Sequence, residues 1–183
     1  MTDTPGSTAA ESPRQLSRHQ LTVLILALMS TGIGQSLVFA ILAPLGREVG
    51  LREIQITSII AVSALVFALA SPHWGRLSDR VGRRPVMITG LVGYTVGTLI
   101  FTSVFYLGLH GVIAGTTLYL VALLARCGQS VVMSATNPSA TAYAADNTSR
   151  GERTRAMARL GTANSMGMIL GPAVSGALAT FGL

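Results

Sequence analysis

The sequence predicts an all-α integral membrane protein with five transmembrane helices. Only 11% of the 183 residues are charged and 50% are hydrophobic, whereas soluble domains carry about 25% charged residues. Five apolar runs approach or exceed the ~20 residues that a helix needs to cross a bilayer. These predicted spans cover residues 21–45, 54–74, 85–108, 118–144 and 160–183. The lipid bilayer is therefore the first partner that the sequence implies.

The first span follows a polar tail, residues 1–20, which is rich in Ser, Thr, Pro and Ala and is predicted to be disordered. The apolar run of this span exceeds the ~7–15 residues of a cleaved signal peptide. Gly32, Gly34 and Pro44 loosen the helix, and Gln35 is polar at membrane depth. Gln35 is a candidate for the lining of a small-molecule cavity at membrane depth, or it hydrogen-bonds to a neighbouring helix.

The positions of the arginines predict the orientation in the membrane. Ten lie in the tail or in the connections after the second and fourth spans; they are Arg14, Arg18, Arg76, Arg80, Arg83, Arg84, Arg150, Arg153, Arg155 and Arg159. On the opposite side only Arg47 and Arg52 occur, each beside a glutamate. Because cytoplasmic loops carry an excess of basic residues, we expect a multi-pass protein of the inner (plasma) membrane with a cytoplasmic N-terminus.

The third span has no formal charge, and the fourth contains one, Arg126. A charge at the bilayer centre costs about 2.5–3.5 kcal/mol on insertion scales, so such residues usually face a cavity or a partner. Alternatively, Arg126 extends to the outer interface, since it lies about a third of the way along the span. Asn137 and Pro138 interrupt the same span, and Asn137 allows the same two interpretations as Gln35.

Other functional classes find little support in the sequence. The net charge of +6 comes from arginines that flank apolar runs, without a basic groove and interleaved aromatic residues, which argues against nucleic acid as a partner. The spans contain no zinc-spaced cluster of His, Cys and Glu and no Ser–His pair, so we expect neither a metal site nor an enzyme.

The connection between the second and third spans reads GRLSDRVGRRP, residues 75–85. A topological anchor would explain its arginines but not Asp79, Gly75 or Gly82. In a tight link between antiparallel helices, glycine tolerates unusual backbone angles. A carboxylate there can face a helix N-terminus or pair with an arginine.

This stretch resembles the signature G-x-L-[AS]-D-R-x-G-R-[RK] between the second and third helices of the major facilitator superfamily. Eight positions match, and they are Gly75, Leu77, Ser78, Asp79, Arg80, Gly82, Arg83 and Arg84. Eight matches between two predicted spans make the resemblance specific.

Two further stretches resemble proton-antiporting exporters of that superfamily, including tetracycline-efflux-like proteins. GMILGPAVSG, residues 167–176, resembles G-x-x-x-G-P-x-x-G-G, with Ser175 in place of a glycine. The matching residues are Gly167, Gly171, Pro172 and Gly176. Generic packing of small residues with a proline kink is the alternative. TAYAADNTSRGERTR, residues 141–155, resembles the end of the fourth helix and the loop that follows it.

The resemblance implies the major facilitator fold, with residues 21–183 forming an incomplete N-terminal half that lacks its sixth helix and the partner C-terminal half. It implies a secondary active transporter that exports small amphipathic molecules or drugs by alternating access. The driving force would be the proton gradient, with no cofactor. The alternative is an orphan truncated membrane module with an assembly or interaction role and no independent transport.

The resemblance also implies roles for individual residues. Arg126 matches the fourth-helix arginine to which proton coupling is assigned. Asp79 would cap a helix of the partner half in the outward-facing state, and Arg83 would pair with Asp146. Together with their motif neighbours these residues would form a conformational latch. The latch residues are Gly75, Asp79, Arg80, Gly82, Arg83, Arg84 and Asp146.

Overall fold

The computed structural model describes residues 17–180, apart from the side chains at 150 and 178–180. Within this range the chain is helical throughout, with short connections. The helices are α1 (Arg18–Glu48), α2 (Glu53–Val81), α3 (Arg83–Leu109), α4 (Gly115–Met133), α5 (Thr136–Asp146) and α6 (Arg150–Thr180). Residues 1–16 of the predicted tail and residues 181–183 of the fifth predicted span lie outside the described residues.

Four stretches of the described chain are long and apolar enough to cross a membrane. They are α1, α2, α3 and the stretch Gly115–Asp146 that contains α4 and α5. The fifth predicted span falls on α6, which is not among these four. Its first turns carry the arginines of residues 150–159, and its later part is rich in Gly, Ala, Ser and Thr. The all-helical membrane fold is confirmed, and the four spanning stretches of the described chain are roughly in line with the five predicted spans.

The helices extend beyond the apolar runs that predicted them. The chain enters α1 at Arg18, where the Ser17 amide donates to Gln20 Oε1 (3.1 Å), one half of a capping box. Helix α2 also extends beyond its apolar run, because it continues through most of the motif segment, residues 75–85, and ends at Val81. The predicted loop of residues 75–85 is therefore mostly helix, because hydropathy marks the membrane boundary and not the end of the hydrogen-bonded helix.

A single residue, Gly82, links α2 to α3. Its φ is +104° and its ψ is 149°, a conformation that is essentially restricted to glycine. Gly75 instead lies inside α2, and a Cβ placed on it would meet nothing within 4 Å. The prediction that Gly75 serves an unusual backbone angle is wrong, and Gly82 alone makes the turn.

The predicted fourth span is broken between α4 and α5. Pro138 lies in the first turn of α5, where a missing N–H breaks no helical hydrogen bond. At the break, the Ala135 amide donates to the Val132 carbonyl three residues back (3.2 Å). The indole of Trp74 on α2 donates to the Val131 carbonyl (2.6 Å). A side chain from another helix therefore supplies a donor at the break.

Two apolar clusters hold the bundle together, one near each end. At the end where α1 meets α2 and α3 meets α4, the buried cluster includes Ile59, Phe105 and Leu118. At the opposite end, Leu28 and Leu160 pack with small residues of α5. Large apolar side chains on the outer faces remain exposed, as expected where lipid or further protein covers them.

Candidate functional site

A cavity of about 250 Å³ lies near the middle of the bundle, between α1, α2, α4, α5 and α6. Its lining combines the amides of Gln35, Asn137 and Asn164 with the aromatic rings of Phe39 and Phe67. The structure thus brings together both residues that the sequence selected as cavity candidates. Such a lining, mostly apolar with a few convergent polar groups, is typical of small-molecule sites.

Gln35 allowed two interpretations in the sequence, and the structure favours the cavity. Its Oε1 atom is buried and has no hydrogen-bond partner among the described residues. An orphaned acceptor on a cavity wall is available to a donor that enters the cavity. Thr136 belongs to the same lining, and its Oγ1 atom is also buried without a hydrogen-bond partner among the described residues.

Arg126 is buried within α4, with 1% of its surface exposed. The alternative that its side chain extends to the outer interface is wrong, because helices α1 and α3 cover it. Its guanidinium carbon lies 5.2 Å from the ring centroid of Phe39 and 5.7 Å from that of Phe101. Phe39 also lines the cavity, so the ring that contacts the charge borders the cavity as well.

Only one side-chain acceptor is paired with the Arg126 guanidinium among the described residues. Nη1 donates to Gln129 Oε1 (2.5 Å), while Nε and Nη2 are buried without a hydrogen-bond partner. Gln129 is itself held by α3, since its Nε2 donates to Thr98 Oγ1 (2.6 Å) and to the Tyr94 carbonyl (3.3 Å). The charge is therefore oriented by a neutral network and not by a carboxylate.

Sequence reasoning did not select Gln129, although a signal was present. Gln129 follows Arg126 by three residues, which places both side chains on one helix face. The space for Gln129 depends on Gly97 of α3, because a Cβ there would lie 2.5 Å from Gln129 Cγ. The sequence does not show that α3 supplies this glycine, because the contact forms only in the folded bundle.

The motif residues meet at the end of the bundle where α2, α3 and α5 converge. Arg83 Nε donates to Asp146 Oδ2 (3.0 Å), and the same guanidinium forms an ion pair with Asp79 one turn earlier. Arg83 Nη1 also donates to Ser78 Oγ (2.7 Å). The Arg83 side chain is 23% exposed, whereas both carboxylates are more than half exposed. One half-buried arginine thus joins three helices.

The remaining motif residues do not share this network. Arg80 and Arg84 are exposed and have no side-chain hydrogen bond or ion pair within the part of the chain that the structure describes. Gly82 sets the turn that brings Arg83 to Asp79. The structure therefore assembles Asp79, Arg83 and Asp146 and leaves the other arginines to solvent or to another partner.

Of the three matching glycines in residues 167–176, two contact a neighbouring helix and one does not. A Cβ on Gly167 would lie 3.0 Å from the Ile33 amide nitrogen, and one on Gly171 would lie 2.8 Å from the Ile33 carbonyl oxygen. Both glycines therefore let α6 lie directly against α1. A Cβ on Gly176, in contrast, would meet no described atom within 4 Å. Close helix approach accounts for Gly167 and Gly171 but not for Gly176.

Long apolar helices around a mostly apolar cavity with a few polar groups are the architecture of a multi-pass membrane protein. Residues 24–183 match the family model of the Major Facilitator Superfamily. The chain belongs to this superfamily, whose members are transporters.

Curated relatives agree with this assignment. The chain is 30% identical over 168 residues to multidrug resistance protein 2 of Bacillus subtilis, an alignment that covers 90% of the chain and 39% of that relative. It is 31% identical over 165 residues to the class B tetracycline resistance protein of Escherichia coli, covering 87% of the chain and 37% of the relative. The class C protein of Escherichia coli is 30% identical over 174 residues, covering 91% and 40%. The chain thus spans less than half the length of these relatives.

Proposed function

We propose that the chain is the N-terminal part of a proton-coupled exporter of small amphipathic molecules, which works by alternating access in the inner membrane with its N-terminus in the cytoplasm. The names of its relatives, multidrug and tetracycline resistance proteins, support export. The observation that carries the proposal is Arg126, a buried cation with two unpartnered N–H donors beside the cavity.

The cavity residues support an amphipathic substrate. Phe39 and Phe67 offer flat apolar surfaces, while the amides of Gln35, Asn137 and Asn164 offer both donors and acceptors. Such a lining accommodates molecules that combine a ring system with a few polar groups. In the proposal this cavity is one wall of the substrate site, and the rest of the transporter supplies the other.

The electrostatics of Arg126 support proton coupling in this proposal. A buried guanidinium stabilises the deprotonated form of a nearby carboxylate, so protonation of that carboxylate releases the pair. All carboxylates in the described residues lie at helix ends; they are Glu48, Glu53, Asp79, Asp146 and Glu152. We therefore assign the exchanging carboxylate to the substrate or to a segment outside residues 17–180.

Everted membrane vesicles with an imposed proton gradient test this function. Such vesicles should accumulate ethidium or tetracycline when they contain the complete protein of which this chain is a part. Arg126→Leu should abolish the proton-driven part of this uptake, whereas Arg126→Lys should retain a measurable fraction because it keeps the charge. Arg52→Gln, which removes an exposed arginine far from the cavity, serves as the matched control. Full proton-driven uptake by Arg126→Leu would refute the role of Arg126.

Alternating access additionally requires contacts that exist in one state and break in the other. In the proposal, the cluster of Asp79, Arg83 and Asp146 is such a contact, because side chains that are partly exposed can separate at little cost. Asp79→Asn should abolish transport in the same vesicles while the amount of inserted protein stays at the wild-type level. Unchanged transport by this variant would exclude the latch.

A further inference from the structure

A groove runs between α1 and α6 at the end of the bundle where both helices begin. Its upper part is a polar pocket of about 460 Å³, and its lower part is an apolar pocket of about 340 Å³. Arg155 and Arg159 line both pockets, so the two parts are continuous. This groove is separate from the central cavity and shares no residue with it.

The polar part has an excess of positive charge. Arg18, Arg155 and Arg159 line it, and their side chains make no ion pair or hydrogen bond within residues 17–180. The single carboxylate in the lining, Glu152, already accepts a hydrogen bond from Ser149 Oγ (3.3 Å). Three arginines against one glutamate leave the pocket with a net charge of about +2 at neutral pH.

The polar side chains of the neighbouring turn already donate hydrogen bonds to backbone carbonyl groups. Asn147 Nδ2 donates to the Tyr143 carbonyl (2.8 Å), and Thr148 Oγ1 donates to the Ala144 carbonyl (2.6 Å). The guanidinium groups are therefore the free donors of this pocket. Planar guanidinium groups bind phosphate oxygens with paired hydrogen bonds.

The apolar part continues directly from the guanidinium groups toward the middle of the membrane. Ile25 and Met29 of α1 face Ala163 and Met166 of α6 across it. From Arg159 to Met166 the helix rises about 10 Å, which matches the length of several methylene groups. A soluble anion would use the arginines but not this apolar extension.

We propose that the groove binds an anionic phospholipid, with the phosphate on Arg18, Arg155 and Arg159 and an acyl chain along Ile25 and Met29. Complementary charge selects an anionic headgroup, and the continuity of the polar and apolar parts selects a lipid over a free anion. The site goes beyond the proposed transport function, because neither the cavity nor the latch contributes to it.

Lipid titration followed by native mass spectrometry tests the headgroup. The complete protein that contains this chain should bind phosphatidylglycerol in preference to phosphatidylcholine. The double variant Arg155→Gln with Arg159→Gln should weaken phosphatidylglycerol binding about tenfold or more, and Arg155→Lys with Arg159→Lys should restore most of it. Arg76→Gln is the matched control, because this exposed arginine lies at the same end of the bundle outside the groove. Wild-type binding by the double glutamine variant would overturn the proposal.

A second variant distinguishes a lipid from a free anion and does not alter the charge. Thr162 lies exposed in the apolar part, and Thr162→Phe should fill the acyl path and weaken phosphatidylglycerol binding while the arginines stay in place. Inorganic phosphate at millimolar concentration should not raise the thermal stability of the protein as phosphatidylglycerol does. Equal stabilisation by phosphate, together with unchanged lipid binding by Thr162→Phe, would show a free-anion site and refute the lipid.

Discussion

At the scale of single residues, Arg126 is the most unusual group in the described chain. Two aromatic faces and one amide oxygen surround its guanidinium. Cation–π contacts contribute roughly 0.5–2 kcal/mol each, which offsets only part of the cost of burying a charge. The two unpartnered guanidinium nitrogens are therefore costly for stability, which is expected where a group is kept for function.

Gln129 should contribute more to stability than an ordinary polar residue. Gln129→Leu keeps the volume but removes the acceptor of Arg126 and the donor to Thr98. Because a hydrogen bond to a charged group is worth about 1.5–3 kcal/mol, we expect a clear drop in the thermal unfolding temperature of detergent-purified protein. Thr95→Val, which removes an exposed hydroxyl bonded within α3, should change it little. Equal effects of the two substitutions would contradict the role of Gln129.

Hydropathy could single out individual residues only where the signal lies within one helix, whereas the Arg83–Asp146 pair between two helices was expected from the family resemblance. Arg126, Gln35 and Asn137 stand out because they are polar in apolar runs, and all three lie in or beside the central cavity. Trp74 and Gly97 could not be selected this way. Their importance depends on which helices become neighbours, and hydropathy does not encode that.

At the scale of elements, the link between α2 and α3 rests on one backbone conformation. Gly82→Ala should destabilise the protein by about 1–3 kcal/mol, because a positive φ with extended ψ strains a residue that has a Cβ. Gly75→Ala should have no effect or raise stability by up to about 1 kcal/mol, since Gly75 is helical with free space around it. Thermal unfolding of the two variants in the same detergent compares them directly. A larger loss for Gly75→Ala would be incompatible with the observed turn.

The α1–α6 contact gives a second matched pair. Gly171→Ala places a methyl group against the Ser36 hydroxyl and the Ile33 carbonyl, and such overpacking costs about 1–3 kcal/mol. Gly176→Ala adds the same methyl group in open space and should be neutral. The measurement is the unfolding temperature of each purified variant. If both variants unfold at the wild-type temperature, α1 and α6 do not pack as closely as described.

The elements themselves were largely predictable, and the deviations have physical reasons. Apolar runs identify where the chain crosses the membrane, but helices continue into polar residues as long as their backbone groups remain paired, as at Val81. Pro138 indicated an interruption in the fourth span, yet the break lies just before it at Ser134 and Ala135. The proline fits a first helical turn, so the preceding residues absorb the irregularity.

At the scale of the whole molecule, the arginine distribution predicts which end faces the cytoplasm. In a Cys127→Ser background, Val112→Cys in the connection between α3 and α4 should react with a membrane-impermeant maleimide on intact cells. Val81→Cys beside Gly82 should react only after permeabilisation. Both side chains are at least 60% exposed, so burial does not explain a lack of labelling. The reverse pattern would show that the N-terminus faces outward.

The contact between α1 and α6 joins segments that are made far apart in time. Ser36 Oγ lies 3.5 Å from the Gly167 carbonyl oxygen across 131 residues of sequence, and at about 5–20 residues per second a ribosome needs roughly 7–26 s to make that stretch. During that interval the backbone around Gly32 lacks the α6 residues that cover it in the folded chain. Whatever shields this face in the meantime, lipid or the insertion machinery, must leave when α6 arrives. Among the six described helices, α1 is therefore made first and its principal neighbour, α6, is made last.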